Sequence, residues 1–567
     1  MLDAVSGSLT ITALIAMLPL LTLFVLLGAL RMTAWKASLI SLAVSLLVAI
    51  IAYSMPVGGA VLSATEGAAF GFFPILWIVI NAIWVYNMTV VTGHFDVLRR
   101  SFAKISDDQR IQAVIVAFCF GALLEALAGF GTPVAITAVM LIALGFKPIK
   151  AAVVALVANT APVAFGALAV PITTLATVSQ LPEHTLAQMV GRQTPLLGLF
   201  VPMALVFIID KGRGVRETLP VTVTCGATFA VAQFVTSNFI STQLTDIVAS
   251  LLSAASVVLL LRVWQPAGRY VEAEEQATTG SPVGESATEG MRGRDVDPKR
   301  PVGNGHGGVP DLAVRDADAH DSRSDVAKAY APYLIIIVVF AVSQLPGIKD
   351  LLDKPTKEFQ WPGLHLQTST GAASTIPTFK FNWLAAAGTL MIFSGLITIP
   401  ILRITPKAAF QAYLDTYRQL ASAIVTVMAV LGLAYVMNAS GETATLGTWM
   451  AAAGGAFAII SPLLGWLGVA VTGSDTSSNS LFGALQVQAA HQTGLSPVLM
   501  AAANSSGGVL GKMISPQNLA IAAAAVGMSG REGDIFRKVL GWSLAFVVFM
   551  CVVVFLQSTS VLSWMVP

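Results

Sequence analysis

Apolar blocks recur along almost the whole chain and are separated by short polar stretches. Most of these blocks are close to the ~20 residues that an α-helix needs to cross a bilayer. The pattern predicts an all-α, polytopic membrane helical bundle of about 12–16 membrane segments. The blocks lie at about residues 8–29, 34–54, 67–90, 112–128, 132–145, 151–180, 193–210, 219–238, 246–262, 330–345, 383–402, 419–437, 448–470, 476–491, 497–529 and 539–565.

The composition agrees with a membrane protein and argues against other classes. Hydrophobic residues make up 55% of the 567 residues and charged residues only 11%, whereas soluble domains carry about 25% charged residues. The net charge of +2 provides no basic surface for nucleic acid. Cys119, Cys225 and Cys551 all lie in apolar blocks, and their odd number argues against a disulfide framework or a metal site.

A hydrophilic stretch divides the chain into two membrane halves. Residues 265–328 combine many charged side chains with Gly, Ser and Pro, a composition that cannot bury a core and predicts a disordered cytoplasmic loop. The halves on either side are residues 1–264 and 329–567. A shorter polar segment, 346–382, follows the first block of the second half.

The distribution of Lys and Arg predicts the orientation in the membrane. These residues cluster in the loops at 31–36, 99–110, 147–150, 211–216, 403–407 and 531–538, and the positive-inside rule makes such loops cytoplasmic. The stretches near Glu66, Glu183, Glu442 and His491 are poor in Lys and Arg and are predicted to be outer loops. Counting the blocks alternately places both termini outside.

An internal repeat runs in opposite directions in the two halves. Asn159–Thr173 matches Asn504–Asn518 at a constant offset of 345, and Gly129–Pro133 matches Gly473–Ser477 at an offset of 344. The predicted orientation inverts one copy relative to the other. Inverted repeats with helices broken at matching Gly and Pro residues are typical of secondary transporters, whose site lies at the midplane. A simpler interpretation is that these small residues only let helices pack closely.

The paired segments 112–145 and 448–491 have two interpretations. If both are re-entrant hairpins, the crossings number about twelve, and if each segment crosses fully, they number about sixteen.

The broken helices supply the predicted substrate site. A carboxylate at the midplane needs hydrogen-bond donors, and the free N-terminus of a half-helix supplies N–H groups and a partial positive charge. Glycine lets the backbone approach the ligand, and hydroxyl and amide side chains add donors without adding charge. The predicted substrate-binding residues are Gly129, Gly131, Thr132, Asn159, Thr160, Gly473, Thr476, Ser477, Ser478, Asn479, Asn504, Ser505, Ser506 and Lys512.

Three ionisable residues lie in apolar or small-residue surroundings. A charge at the bilayer centre costs on the order of 3 kcal/mol or more, so Glu125, Asp475 and Lys512 are functional candidates. A carboxylic acid removed from water holds its proton more readily, so Glu125 and Asp475 are predicted to couple protons. Lys512 is predicted to pair with the substrate carboxylate or with Asp475. The structural alternatives are a static ion pair, a helix N-cap and a snorkelling lysine.

Three motifs resemble the lactate permease family over nearly the full chain. They are GALLEALAGFGTPVAI (Gly121–Ile136), VTGSDTSSNSLFGALQ (Val471–Gln486) and NSSGGVLGKMISPQNLAIA (Asn504–Ala522). The resemblance implies proton-coupled symport of L-lactate, with D-lactate and glycolate as further substrates, by a multi-pass protein of the cell inner membrane that needs no cofactor. The stretch 265–328 looks like an insertion relative to this family's pattern.

Three other functions compete with this interpretation. The same hydroxyl, amide and carbonyl oxygens could hold Na⁺, so the nearest alternative is a sodium-coupled carboxylate or dicarboxylate transporter. A membrane enzyme is not expected, because the sequence contains no HExxH motif, no GxSxG motif and no cluster of His or Cys. A passive channel is the third alternative.

Overall fold

The computed structural model describes residues 8–567 except 104, 130, 267, 269, 271–320, 344, 346 and 365–377. The described part of the first half is built from fourteen α-helices. They are α1 (Leu9–Ala16), α2 (Leu18–Phe24), α3 (Ala34–Ile51), α4 (Val57–Phe70), α5 (Trp77–Val91), α6 (His94–Ala103), α7 (Gln109–Gln112), α8 (Gly121–Ala128), α9 (Thr132–Ala143), α10 (Pro148–Ala158), α11 (Gly166–Ser179), α12 (Glu183–Val190), α13 (Thr194–Val235) and α14 (Thr245–Val263).

The second half adds ten α-helices and one small hairpin within the described residues. The helices are α15 (Arg323–Ser343), α16 (Ile348–Asp353), α17 (Ala387–Leu402), α18 (Pro406–Ser440), α19 (Glu442–Met450), α20 (Phe457–Thr472), α21 (Asp475–Thr493), α22 (Pro497–Gly508), α23 (Pro516–Ala525) and α24 (Glu532–Gln557). Strands β1 (Lys357–Gln360) and β2 (Thr378–Phe381) pair antiparallel, with Lys357 opposite Phe381.

The number of membrane segments agrees with the sequence-based prediction. In the described part of the chain, nine helical runs are long and apolar enough to cross a membrane, and two bent pairs bring this number to eleven. The shorter apolar helices α9 and α17 raise it to thirteen, within the predicted 12–16. The run Glu183–Ile240 has 58 residues, far more than one crossing of ~20 residues needs, and non-helical backbone at Asp210 and Lys211 breaks it.

The bundle has a buried centre and a lipid-facing rim. The run Gln109–Ala128 is buried over its whole apolar window, whereas only 33% of the α3 window is buried. A helix that is apolar on all sides belongs in the interior of a bundle. The segment containing α8 is therefore the central element, and α3 lies at the periphery.

The polar regions are only partly described. Most of the predicted loop 265–328 lies outside the described residues, but α15 begins at Arg323, so helix replaces the end of the predicted loop. The segment 346–382 contains α16 and the hairpin. The ring of Phe379 lies 4.5 Å from that of Phe70 in α4, so the hairpin packs on the bundle.

The inverted repeats have the same succession of helix, break and helix. Helix α10 begins at Pro148 and α22 at Pro497, and 3₁₀ turns follow at Val163–Phe165 and Lys512–Ile514, a constant offset of 349 residues. The packing is reciprocal, because α9 contacts α23 and α11 contacts α21. A twofold relation between the repeats produces such exchanged contacts.

One predicted pairing within the repeat is wrong by about one helical turn. Asn159 caps the C-terminus of α10, whereas Asn504 lies inside α22, so the two residues are not equivalent. The cause is a left-handed turn at Ala167–Ala169, which the second copy lacks. This turn separates the 3₁₀ segment from Pro171, so the offset of 345 holds only after the break.

Two acidic residues that were predicted to lie near outer loops are inside the bundle. Glu66 lies in α4 and Glu442 begins α19, and both side chains are fully buried. A lone charge at the edge of an apolar block looks interfacial in the sequence, and only the packing of α4 and α19 shows its burial.

Candidate functional site

The break between α8 and α9 and the matching break between α20 and α21 both lie at the centre of the bundle. Helix α8 ends before Gly129 (φ 41°), and Gly131 (φ 83°) precedes α9. In the second copy Gly473 (φ 76°) separates α20 from α21. Positive φ angles favour glycine at all three positions, since it has no Cβ. The predicted Thr132 is half-buried at the start of α9.

Glu125 forms a buried ion pair that joins the two repeats. Lys512 Nζ lies 2.6 Å from Glu125 Oε1, and Asn159 Nδ2 donates to Glu125 Oε2 over 2.9 Å. All three residues are at most 5% exposed. Lys512 was predicted to pair with the substrate carboxylate or with Asp475, and in this structure it pairs with Glu125 instead of Asp475.

Asp475 is the centre of a second buried cluster. Ser505 Oγ donates to its Oδ2 over 2.5 Å, and Asn479 Nδ2 contacts the same oxygen at 3.3 Å. Within the described residues the buried Oδ1 of Asp475 has no hydrogen-bond partner. A buried ionised carboxylate with an unpaired oxygen is costly, so the pocket favours a proton on Asp475.

A chain of amide side chains extends from Asp475. Asn504 Nδ2 donates to Asn479 Oδ1 over 2.9 Å, and Gln486 Nε2 donates to Asn504 Oδ1 over 3.1 Å. Asn479 Nδ2 also donates to the carbonyl of Pro171 at 3.1 Å, which connects α21 to the first repeat. These contacts bring Asn479 and Asn504, two of the predicted substrate-binding residues, into one cluster with Asp475.

The N-terminus of α21 offers free donors beside this cluster. Ser474 caps the helix by accepting from the Ser477 amide. No described residue accepts from the amides of Asp475 and Thr476. Thr476 and Ser477 are 7% and 5% exposed. Such a helix end is suited to bind an anion, and anion binding here stays a prediction.

Three other predicted substrate-binding residues make contacts that point to helix packing. Thr160 Oγ1 donates to Val157 O in its own turn. Ser478 Oγ donates to Gly465 O over 3.2 Å and Ser506 Oγ to Gln193 Oε1 over 2.7 Å. These hydroxyls are occupied away from both carboxylates, so the structure does not bring them into the two clusters.

Sequence analysis missed a fully buried acid, Asp246, at the start of α14. Its Oδ1 accepts from Gln233 Nε2 over 2.8 Å. The available signal was a single acidic residue at the edge of an apolar block, as it was for Glu66 and Glu442.

Two cavities lie on either side of α11, away from the clusters. One, of about 160 Å³, is lined by Thr173, Glu183 and Gln243 among others, and is here called the Glu183 cavity. The other, of about 200 Å³, lies between the C-terminal parts of α11 and α21, beside Tyr435 and Thr443. Glu125 and Asp475 are each only 3% exposed, so both clusters are closed from either cavity.

Comparison with known proteins identifies the family. The family model described as L-lactate permease matches residues 12–561. The L-lactate permease of Bacillus subtilis is 39% identical, with 99% of this chain and 98% of that protein covered. The glycolate permease GlcA of Escherichia coli K12 is 41% identical, with 97% of this chain and 96% of that protein covered. Among solved structures, the YdaH transporter of Alcanivorax borkumensis is 14% identical with a TM-score of 0.42, covering 87% of this chain and 86% of that one. These sequence relatives are named permeases, not enzymes, and with its many apolar helices the chain is a multi-pass membrane protein of the L-lactate permease family.

Proposed function

We propose that this protein carries lactate and related 2-hydroxy monocarboxylates, including glycolate, across the cytoplasmic membrane by symport with protons. The names of its relatives support the substrate class. The observation that carries the coupling is the buried Glu125–Lys512 ion pair between the two repeats. Both termini are proposed to lie outside, as the Lys and Arg distribution predicts.

Competition for Lys512 couples the proton to the substrate. In the structure the Lys512 ammonium is committed to the Glu125 carboxylate at 2.6 Å. A proton on Glu125 removes the negative charge of this pair and leaves a buried cation in need of an anion. A substrate carboxylate supplies that anion. The protein therefore binds the anion well only after it has bound the proton.

At the N-terminus of α21, Asp475 must likewise be protonated before the anion binds. The free amides of Asp475 and Thr476 attract a carboxylate. An ionised Asp475 would repel it at close range in a site of low dielectric. A protonated Asp475 removes this repulsion and offers an O–H donor. Glu125 and Asp475 are thus the proposed proton-coupling residues, and Thr476, Ser477 and Lys512 the proposed anion ligands.

Asn159 accounts for the preference for a 2-hydroxyl group. Its Nδ2 donates to Glu125, while its buried Oδ1 accepts no hydrogen bond from any described residue. An unpaired buried acceptor costs about 1–3 kcal/mol. A hydroxyl next to the substrate carboxylate would satisfy this oxygen while the carboxylate contacts Lys512.

The proposed exchange makes the loaded carrier electrically neutral in one-to-one symport. Asp475 keeps its proton through the cycle and only Glu125 gives its proton up, so one proton and one monocarboxylate cross together. The membrane potential therefore does not act on this step. The pH gradient drives it instead, and each unit contributes about 1.4 kcal/mol.

Uptake of labelled L-lactate into proteoliposomes tests this function. An inward proton gradient is applied with and without sodium, for the parent, for Glu125→Gln and for the control Glu358→Gln. Glu358 is an exposed strand residue paired with Lys380, so it reports the effect of the same substitution outside the site. We expect sodium-independent accumulation in the parent and control, and its loss in Glu125→Gln. Sodium-dependent accumulation would instead favour the sodium-coupled alternative.

A further inference from the structure

Asp246 occupies an unusual position for an acidic residue. It lies in the first turn of α14, is fully buried, and interacts through Oδ1 with Gln233 Nε2 of α13 at 2.8 Å. Gln233 Oε1 in turn accepts from Thr194 Oγ1 over 3.2 Å. The Asp246 side chain is therefore held in place by a defined network.

The second oxygen of Asp246 lacks a partner. Within the described residues, Oδ2 is buried and makes no hydrogen bond, and no cation is paired with the carboxylate. An isolated ionised carboxylate in such surroundings is strongly disfavoured. Asp246 is therefore protonated on Oδ2, except while it transfers this proton to another group.

The helix of Asp246 also packs against the helix of the coupling residue. Helix α14 packs against α8, which carries Glu125, and the two acids lie within electrostatic range of each other. Two carboxylates that interact in a low dielectric do not readily ionise together. One proton shared between Asp246 and Glu125 is therefore a favourable arrangement, and its transfer to Glu125 frees Lys512 for the substrate.

The Glu183 cavity reaches the segment just before α14. Gln243 lines this cavity immediately before α14, and its Nε2 donates to Glu183 Oε1 over 2.8 Å. Asp246 follows Gln243 by less than one helical turn. Helix α14 thus begins beside a cavity that contains an acid and packs against the helix that carries Glu125.

The groups that face Asp246 from neighbouring elements leave few alternatives for this proton. They are Glu125 from α8 and, through Gln243, Glu183 of α12. The thiols of Cys119 and Cys225 contact Ser253, about two turns further along α14. The charged residues Asp210 and Glu217 of α13 bind Arg110. Arg110 also binds the carbonyl of Gly268, beyond the opposite end of α14.

We propose that Asp246 is a proton-relay residue that passes protons between the Glu183 cavity and Glu125. In the inward step the O–H bond at Asp246 Oδ2 breaks and an O–H bond forms on the Glu125 carboxylate, which frees Lys512 for the substrate anion. Asp246 is left ionised and takes a new proton from the cavity. The inference rests on the proton coupling proposed above and assigns its entry route.

The Asp246→Asn variant separates relay from structure. Its side chain keeps the oxygen that accepts from Gln233 but cannot carry a proton. In proteoliposomes, we expect gradient-driven uptake of labelled L-lactate to fall by about tenfold or more. Exchange of labelled for internal lactate at equal pH should stay within about twofold of the parent, because a loaded carrier exchanges substrate without releasing its proton. The matched control is Asp325→Asn, since Asp325 lies in the first turn of α15 but is exposed.

Each outcome decides the proposal. Parental gradient-driven uptake in Asp246→Asn overturns the relay alone, and so does an equal loss of uptake and exchange. Absence of proton-driven uptake in the parent overturns the proton coupling and the relay together. If Asp246→Asn does not fold, Glu183→Gln is measured instead. The relay then requires slower uptake with retained exchange, and parental uptake in this variant overturns it.

Discussion

The lone charges were the most informative residues in the sequence. Glu125, Asp475 and Lys512 were predicted as functional candidates because a charge inside the membrane is energetically costly and usually serves a function. Their partners could not be predicted, because Glu125 and Lys512 are 387 positions apart and meet only through the packing of the repeats. Asp246 was missed because it lies at the edge of its block.

Removal of the Lys512 charge tests the ion pair at the residue scale. Lys512→Met leaves the buried Glu125 carboxylate without a cation, which we expect to destabilise the protein by about 3–5 kcal/mol. Thermal unfolding of the purified protein measures this loss. The double variant Lys512→Met/Glu125→Gln should recover much of the stability, since no unpaired charge remains, but should not transport. Equal stability of the single and double variants would contradict the pairing.

At the scale of elements, the Gly and Pro residues predicted where the helices break, but not which residues of the two repeats are equivalent. The breaks near Gly129, Gly473 and the two 3₁₀ turns lie where the sequence placed them. The left-handed turn at Ala167–Ala169 has no signal in its sequence, because these residues rarely adopt positive φ angles. As a result, the sequence comparison paired Asn159 with Asn504, although their positions in the repeats differ by about one helical turn.

The contact between α20 and α22 depends on a missing side chain. A Cβ at Gly465 would collide with the backbone of Asn504, whereas a Cβ at Gly541 in α24 would meet nothing within 4 Å. We expect Gly465→Ala to lower the thermal stability and the apparent affinity for L-lactate, because α22 carries Asn504 and Ser505. Gly541→Ala should be neutral or slightly stabilising. Similar behaviour of both variants would contradict this close packing.

Neighbouring thiols report on the packing of the central element against α13. Cys119 Sγ and Cys225 Sγ are 3.5 Å apart, whereas Cys551 Sγ contacts a backbone carbonyl. Mild oxidation with copper phenanthroline should therefore produce a Cys119–Cys225 disulfide, detected by peptide mass mapping without reduction. A disulfide that includes Cys551, or none at all, would argue against the packing of these helices.

At the scale of the whole molecule, the ends of the hydrophilic stretch are attached to the same region. Arg110 binds Asp108, Asp210, Glu217 and the carbonyl of Gly268. These contacts hold the chain just before residue 271. On the other side, Arg100 forms a bidentate pair with Asp321. Composition separated this stretch from the membrane halves, but it could not show these anchors.

Replacement of residues 271–320 by a short Gly-Ser linker tests this organisation. Since Gly268 and Asp321 are held by described residues of the bundle, we expect thermal stability and L-lactate uptake close to those of the parent. Uptake per purified molecule measures this directly. A large loss of uptake in a stable, monodisperse variant would show that the stretch takes part in transport.

The central claim is that the substrate anion and a proton move together. Proteoliposomes with an entrapped fluorescent pH indicator receive an inward L-lactate gradient in sodium-free buffer, with the membrane potential clamped at zero. The account predicts acidification of the lumen that follows lactate entry and disappears in Glu125→Gln. Lactate entry without proton entry, or proton movement that requires sodium, would contradict it.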